Sequence, residues 1–541
     1  MKSRLSFAAL VLTLLSLASP AYAAPTDAPA ASTPAATTPT ASTPTASTPT
    51  PSVSRTATRT PSRAATAPTR SATPATARET PAATAEPSAT PTPTPSPVPA
   101  HPIDARYAEL GGPTGFLGQP VSELSCGLPG SGCMRHYAGG SIYWTQATGA
   151  QFIRGAIFQL WGGKGWETGF LGYPTSSEAC GLIEGGCYQF FQGGAIYWSS
   201  TTGATIVRGA IFQRWAQHGL ERSFLGYPTG EEVCGLRDGG CFQAFQRGSI
   251  YWSPASGAQA VAGEIMNHWG RNGWEGGFLG YPTTAEVCGL RDRGCYQGFQ
   301  GGSMYWTPNF GAHAVRGMIL DSWHRMGREN SSLGYPSGDE RCGLVGGGCF
   351  QAFQGGSIYW SPATGAQPVK GEIMNHWGRN GWEGGHLGYP TTGEFCGLRG
   401  GGCGQHFQNG SIYWQARFGA HFVKGAIRDE WSRQGWEQAF GYPLTDEICG
   451  LVRGGCRQVF EGDDAIYWAP AVGANAVPRE MMAAWGRYGW ETGRLGYPTS
   501  RAWVQDAPNG ANRAWQDFQG GTISFVFHDW NNMGEPSFTW R

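Results

Sequence analysis

Two hydrophobic rhythms alternate along most of this 541-residue chain. The first spaces apolar side chains four residues apart, as at Val207, Ile211 and Trp215, at Val261, Ile265 and Trp269, and at Val369, Ile373 and Trp377. That spacing lays an apolar stripe along one short helix, and a glycine follows at Gly219, Gly273 or Gly381 to end it. Ile103 and Tyr107 hold the matching places at the start of the series, so each unit opens on its helix and the folded region begins near Ile103.

The second rhythm has period two. Tyr188-Gln189-Phe190-Phe191 and Ala195-Ile196-Tyr197-Trp198 lie on either side of Gly193-Gly194 and predict a β-hairpin, and the turn at Thr202-Gly203-Ala204 predicts a third strand ending at Val207. Each unit is therefore one helix, a structured loop and a small antiparallel meander. Neighbours on a strand face opposite ways. One aromatic of each adjacent pair must then leave the core: Tyr143-Trp144, Tyr197-Trp198, Tyr251-Trp252, Tyr305-Trp306, Tyr359-Trp360, Tyr413-Trp414 and Tyr467-Trp468. All fourteen are candidate ligand contacts, because an aromatic face stacks on the apolar C–H face of a sugar ring. The competing reading is that they fill the junctions between units, and the helix tryptophans are read as core.

The motif Leu-Gly-Tyr-Pro gives the period, with its glycine at Gly118, Gly172, Gly226, Gly280, Gly334, Gly388, Gly441 and Gly496. The spacing is 54 residues five times, then 53, then 55, with Gln119 in place of Tyr in the first copy and Phe440 in place of Leu in the seventh. Segments 241–295 and 349–403 differ at only nine of 55 positions, so here the copied segment was a pair of repeats. A fixed period of this length predicts units that pack against their chain neighbours. The fold class expected is a repeat protein, mainly β with one short helix per unit, its eight units of about 54 residues closing into a propeller-like ring, with an open solenoid as the alternative.

The cysteines sharpen the unit, because each pair brackets the structured loop. They form seven pairs with six residues between partners: Cys126 with Cys133, Cys180 with Cys187, Cys234 with Cys241, Cys288 with Cys295, Cys342 with Cys349, Cys396 with Cys403, and Cys449 with Cys456. Seven local disulfides are the direct reading for an exported chain. Zinc would need about four ligands, and no histidine recurs beside the pairs. The eighth unit has Val504 and Ala511 in this region, a divergence expected of a terminal cap.

The segment before the repeats places the protein. Lys2 and Arg4 precede an apolar run from Leu5 to about Leu17 and the triplet Ala21-Tyr22-Ala23, which reads as a signal peptide over residues 1–23. Residues 24–102 are dominated by Pro, Thr, Ala and Ser and predict a disordered stalk ahead of the repeats at 103–541. The expected localisation is secreted, and no later stretch is apolar enough for a membrane helix. With 38 basic and 38 acidic residues, the chain carries no net charge to draw nucleic acid or an anionic polymer.

Chemistry is sparse. The sequence offers no nucleophile triad, phosphate loop or metal-ligand cluster, so no catalytic residue, metal or cofactor is expected. The nearest catalytic candidates are the repeated Glu167, Glu221, Glu275, Glu329, Glu383, Glu437 and Glu491, which a glycosidase would have to pair across one cleft. A second repeated glutamate ends Thr175-Ser176-Ser177-Glu178, Thr283 to Glu286 and Thr391 to Glu394, a spacing that fits a capping box. His313 and His421 stand where neighbouring units have Gln259 and Gln367 and are read as ordinary polar groups. An enzyme needs an asymmetric site, whereas nearly everything here is copied.

Leu171-Gly172-Tyr173-Pro174 and its copies, with the upstream Gly165-Trp166-Glu167 and the 54-residue period, resemble the LGFP-repeat family of actinobacterial envelope proteins. The resemblance covers residues 103–541, with Tyr replacing the family's Phe in most copies and regular cysteine pairs added. In that family such repeats follow mycolyltransferase or peptidoglycan-hydrolase domains, and the resemblance implies attachment to wall polysaccharide, arabinogalactan or peptidoglycan. No catalytic domain accompanies the repeats here. The function expected is multivalent wall binding, with a lectin or adhesin, or a structural wall protein without a specific ligand, as alternatives, and a glycoside hydrolase last. Oligomeric state is left open.

Overall fold

The computed structural model describes residues 100–506, 508, 510–529 and 532–541. The signal peptide at 1–23 and the stalk up to residue 99 lie outside the described residues.

The second unit shows the plan. Its helix, Gly155–Gly163, is followed by strands Ala179–Cys180, Cys187–Phe191, Gly194–Ser199 and Gly203–Val207, which pair antiparallel in chain order. The sequence predicted the last three strands. The first was hidden inside the cysteine loop, where two residues are too few to show a period. Eight such sheets stand among the described residues, each with a helix before it; the last has five strands because Ser537–Trp540 joins it at residues 521–524. The protein is thus a repeat β protein in which each sheet is only as long as its unit.

The cysteine loop itself is corrected by this arrangement. Its two ends were both read as loop, yet they lie on paired strands and differ in burial. The first partner of each pair, such as Cys396, is exposed, whereas the second, at Cys133, Cys187, Cys241, Cys295, Cys349, Cys403 and Cys456, is a buried strand residue. Cys403, 8% exposed, opposes Cys396 on one side and Trp414 on the other and packs in the core between the sixth unit and the fifth. Only the segment between the partners remains loop.

The helices end as their glycines dictate. Gly219 adopts φ 99° after the helix Gly209–His218, a left-handed cap open to residues without a Cβ. Val207 lies in the strand before that helix, so the apolar series spans two elements. The helix tryptophans Trp161, Trp215, Trp269, Trp323, Trp377, Trp431 and Trp485 are fully buried. Each donates its indole N–H, where the bond is formed, to the glycine carbonyl of the following Leu-Gly motif, as Trp215 does to Gly226 at 3.1 Å.

The cores lie between units. Tyr143 and Ile153 of the first unit pack with Ile157, Trp161, Leu171, Tyr173, Cys187, Phe191 and Ile196 of the second, and the same composition recurs at later junctions. A 54-residue unit buries too little by itself, so each of the first seven sheets is covered by its own helix on one face and by the next unit's helix on the other.

The capping-box expectation is also corrected. No helix follows Thr175 to Glu178; Ser176 Oγ accepts the backbone N–H of Phe190, and Glu178 pairs with Arg154 at 2.6 Å. Arg154 is the residue just before the unit's helix, and the pair recurs as Arg208–Glu232, Arg316–Glu340, Lys370–Glu394 and Lys424–Glu447.

Candidate binding site

The register of each sheet decides which aromatic faces outward. Cys180 opposes Cys187, Cys187 opposes Trp198, and Trp198 opposes Ala204, so disulfide and indole form one row across the four strands. The same row links Cys349 to Trp360, Cys403 to Trp414 and Cys456 to Trp468. All seven predicted disulfides are formed, with Cα–Cα distances of 4.0–4.1 Å. Glutamates such as Glu178 and Glu340 lie close to these sulfurs, but bonded cysteines have no thiolate to offer a metal.

The alternate row carries the tyrosines inward. Tyr143, Tyr197, Tyr251, Tyr305, Tyr359, Tyr413 and Tyr467 are at most 6% exposed, each set edge-to-face on the helix Trp of the next unit, as Tyr251 on Trp269 at 4.7 Å. Burial, and behind it Glu329 with Arg328 opposing, pushes the Tyr305 hydroxyl up to about 12. These seven rings are junction packing and present no face to a ligand. Their partners Trp144, Trp198, Trp252, Trp306, Trp360, Trp414 and Trp468 are only part-buried.

Two of those indoles line matching grooves. In the fifth unit Trp360, the Cys342–Cys349 bridge, the Arg316–Glu340 pair and the helix start at Gly317-Met318 enclose about 430 Å³. In the seventh, Trp468, Cys449–Cys456, Lys424–Glu447 and Gly425-Ala426 enclose about 510 Å³, with His386 and Asn409 on the rim. The cation at the groove wall also covers an aromatic ring: Arg316 lies 4.4 Å over Phe278, Arg208 4.9 Å over Phe170, and Arg154 4.7 Å over Phe116. These phenylalanines, just before each Leu-Gly, are among the most exposed aromatics, and the sequence reading passed them over.

A second groove straddles the junctions. Pro129, Gly130, Thr145, Gln146 and Ala147 of the first unit face Glu167, Tyr173 and Gln192 of the second, enclosing about 560 Å³. The eight equivalent residues, Val345 to Ala363 with Glu383, Tyr389 and Gln408, line the same groove 216 positions later. Gln192 Oε1 accepts the N–H of Tyr173, whose hydroxyl donates to Pro129 O at 2.8 Å, so both side chains are fixed. Burial, and then Glu167, raises that hydroxyl to about 12. The repeated glutamates are divided: Glu167, Glu275, Glu383 and Glu491 reach solvent in part, while Glu221, Glu329 and Glu437 are buried. Beside them Trp166, Trp274, Trp382 and Trp490 are 37–38% exposed and held at positive φ, a conformation such side chains seldom take.

The family model described as "LGFP repeat" matches seven segments: 117–169, 171–223, 225–277, 279–331, 333–385, 387–438 and 440–493. No curated protein sequence matches the chain. Among solved structures, the extracellular domain of a one-component system from B. thetaiotaomicron aligns at 10% identity and TM-score 0.12, over 78% of this chain and 62% of that one. This chain thus spans under two thirds of that neighbour's length. Apo AztD from Citrobacter koseri aligns at 9% identity and TM-score 0.10, over 67% and 85%. Likenesses this faint carry nothing into the reading of the grooves.

Proposed function

Since the chain belongs to the LGFP-repeat family, we propose that it is a non-catalytic, cell-wall-associated extracellular protein that binds wall polysaccharide through several units at once. The observation that carries this reading is the recurrence of one groove, an indole beside a disulfide and a fixed cation–carboxylate pair, at Trp360 and Trp468. An indole offers a sugar ring a flat apolar surface, and the adjacent pair offers hydroxyls both a donor and an acceptor. Several similar weak sites on one chain bind a long polymer far more tightly than any one of them would. Zero net charge suits a ligand recognised by stacking and hydrogen bonds. Repetition also speaks against catalysis, since copying multiplies a binding surface without building an asymmetric reaction centre. The seven disulfides suit an oxidising, extracellular setting.

The test is co-sedimentation with purified actinobacterial wall before and after removal of arabinogalactan. The full chain is expected to be retained, and Trp360→Ala with Trp468→Ala to weaken retention by roughly tenfold, as loss of two stacking contacts would. Failure to sediment with any wall fraction overturns the proposal. Binding that survives removal of arabinogalactan moves the ligand to peptidoglycan.

A further inference from the structure

The groove that straddles the junctions is open at two of them and closed at the others. In units three, five and seven the repeated glutamate is buried and met by the residue that follows it: Glu221 by Arg222 at 3.6 Å, Glu329 by Asn330 at 3.0 Å and Glu437 by Gln438 at 3.1 Å. In units two and six the next residue is Thr168 or Gly384, and among the described residues no hydrogen bond or ion pair engages the carboxylate of Glu167 or Glu383. Units four and eight also turn their glutamate to solvent, but there an arginine of the preceding unit crosses the junction. Arg237 Nη1 donates to Glu275 O and Arg453 Nη1 to Gln519 Oε1, each at 3.4 Å. Pro129-Gly130 and Val345-Gly346 hold the same loop places with no such side chain.

We propose that the grooves between units one and two and between units five and six each bind an N-acetylated amino sugar. The inference rests on the reading of the chain as a glycan-binding protein and adds two sites distinct from those at Trp360 and Trp468.

The donors and acceptors left free in each groove match an acetamido group. A carboxylate only accepts, and the amide N–H of the sugar supplies the donor in a charge-assisted bond. Gln192 Oε1 is taken by the backbone N–H of Tyr173 and Gln408 Oε1 by that of Tyr389, both at 2.9 Å. Each glutamine is thereby fixed with Nε2 left to donate, which suits the acetamido carbonyl. The tyrosine hydroxyls do not compete, because Tyr173 donates to Pro129 O at 2.8 Å and Tyr389 to Val345 O at 2.6 Å. Pro129 with Ala147, and Pro362 with Ala363, add an apolar wall for the methyl group. A sugar bearing hydroxyls alone leaves that wall unused, and an ammonium group would meet the Nε2 donors. The grooves enclose about 560 and 250 Å³, the wider taking more of the sugar chain.

An indole accompanies each carboxylate. Trp166 and Trp382 are 37% and 38% exposed, and Glu167 also borders, with Trp166 and Tyr143, a hollow of about 270 Å³. A helix glycine makes room for the ring: a Cβ on Gly162 would stand 2.7 Å from Trp166 Cζ2, and one on Gly378 2.6 Å from Trp382 Cζ2. The units with a buried glutamate have Ala216, His324 and Ser432 at that helix position. Glycine, exposed indole and free carboxylate thus occur together, and the indole offers the apolar face of a sugar ring a surface beside the carboxylate.

The test is equilibrium dialysis of the full, oxidised chain against labelled tri-N-acetylchitotriose, with the deacetylated trisaccharide in parallel. Two saturable sites per chain are expected, and binding of the deacetylated sugar weaker by roughly tenfold or more, as loss of a hydrogen bond to a charged group would give. Glu167→Gln and Glu383→Gln should each remove one site, and the double variant both. Closing the loops should do the same, by Pro129→Arg with Gly130→Asp and by Val345→Arg with Gly346→Asp. Arg237-Asp238 and Arg291-Asp292 already stand at these places, so the fold accepts them, and unchanged circular dichroism confirms that. Absence of saturable binding, equal or tighter binding of the deacetylated sugar, or two sites kept by the double glutamate variant overturns the proposal. Trp360→Ala with Trp468→Ala should keep both sites; their loss in that variant would place the sugar in the tryptophan grooves and overturn the proposal as well. Failure of wall retention while the trisaccharide still binds overturns only the earlier reading.

Discussion

Tyr281 donates its hydroxyl to the backbone carbonyl of Arg237 at 2.6 Å, across a junction and 44 residues back along the chain. Tyr227 reaches Ile183, Tyr335 reaches Arg291 and Tyr389 reaches Val345 in the same way, each at 2.6 Å. The hydroxyl is what a Phe at this motif position would lack, so these bonds are added stitching between units. Tyr281→Phe is expected to fold and to lose about 1 kcal/mol at that junction, because the freed carbonyl sits in an exposed loop where water can replace the phenol. Faster amide exchange in residues 237–241 and 279–283, with distant units unchanged, is the readout. Gly240→Ala should cost more: its new Cβ would collide with the Tyr281 oxygen and lie 2.9 Å from Trp252 O, so the buried ring itself must move.

What the sequence could show was whatever repeats with a short period or a strong local rule. The helix stripe, the hairpin about Gly193-Gly194 and the cysteine pairs are of that kind; the hairpin and the pairs stand where their residues predicted, and the stripe does so from Ile211 onward, its first member Val207 lying in the preceding strand. The alternation rule also required one aromatic of Tyr197-Trp198 to leave the core, but could not say which. The choice belongs to the neighbouring unit, whose Trp215 covers Tyr197 at 4.6 Å. Gln189 was invisible for the same reason. It reads as a polar residue inside a strand, yet it is fully buried and donates to Phe152 O of the preceding unit and Ser176 O of its own, at 2.9 and 2.8 Å. Contacts between units carry no local signature, and the grooves are built from such contacts.

The disulfides make a separable contribution. Each bridges residues seven apart on adjacent strands, and closing so small a loop in the unfolded chain should contribute about 2.5 kcal/mol on a chain-entropy basis. Replacing Cys342 and Cys349 together by serine is expected to lower the unfolding free energy of the fifth unit by about that amount. It should also loosen Trp360, which packs cross-strand on Cys349. Native-state amide exchange in strands Cys349–Phe353 and Gly356–Ser361, compared with the unmodified chain, would report both effects, and unchanged exchange there would show that the hairpin register alone holds the loop.

The fourth unit lacks one half of a pair that five others have. Ala262 stands just before its helix, where Arg154, Arg208, Arg316, Lys370 and Lys424 meet a glutamate, and Glu286 is left without that cation. Burial raises the Glu286 carboxyl above its ordinary value of 4.5. A group whose folded-state value is raised favours the folded state while protonated, so this contribution is complete below about pH 4.5 and is lost as pH rises through the folded value. At neutral pH Glu286 therefore strains its unit. Ala262→Arg should supply the missing partner, as Arg316 does for Glu340 at 2.5 Å. The variant is expected to gain up to about 1 kcal/mol at pH 7, since the pair is partly exposed, and little or nothing at pH 4. Melting temperatures of both chains across that range test the sign directly: a gain that is equal at both ends would place the benefit in packing of the arginine stem, and a loss at pH 7 would refute the pairing.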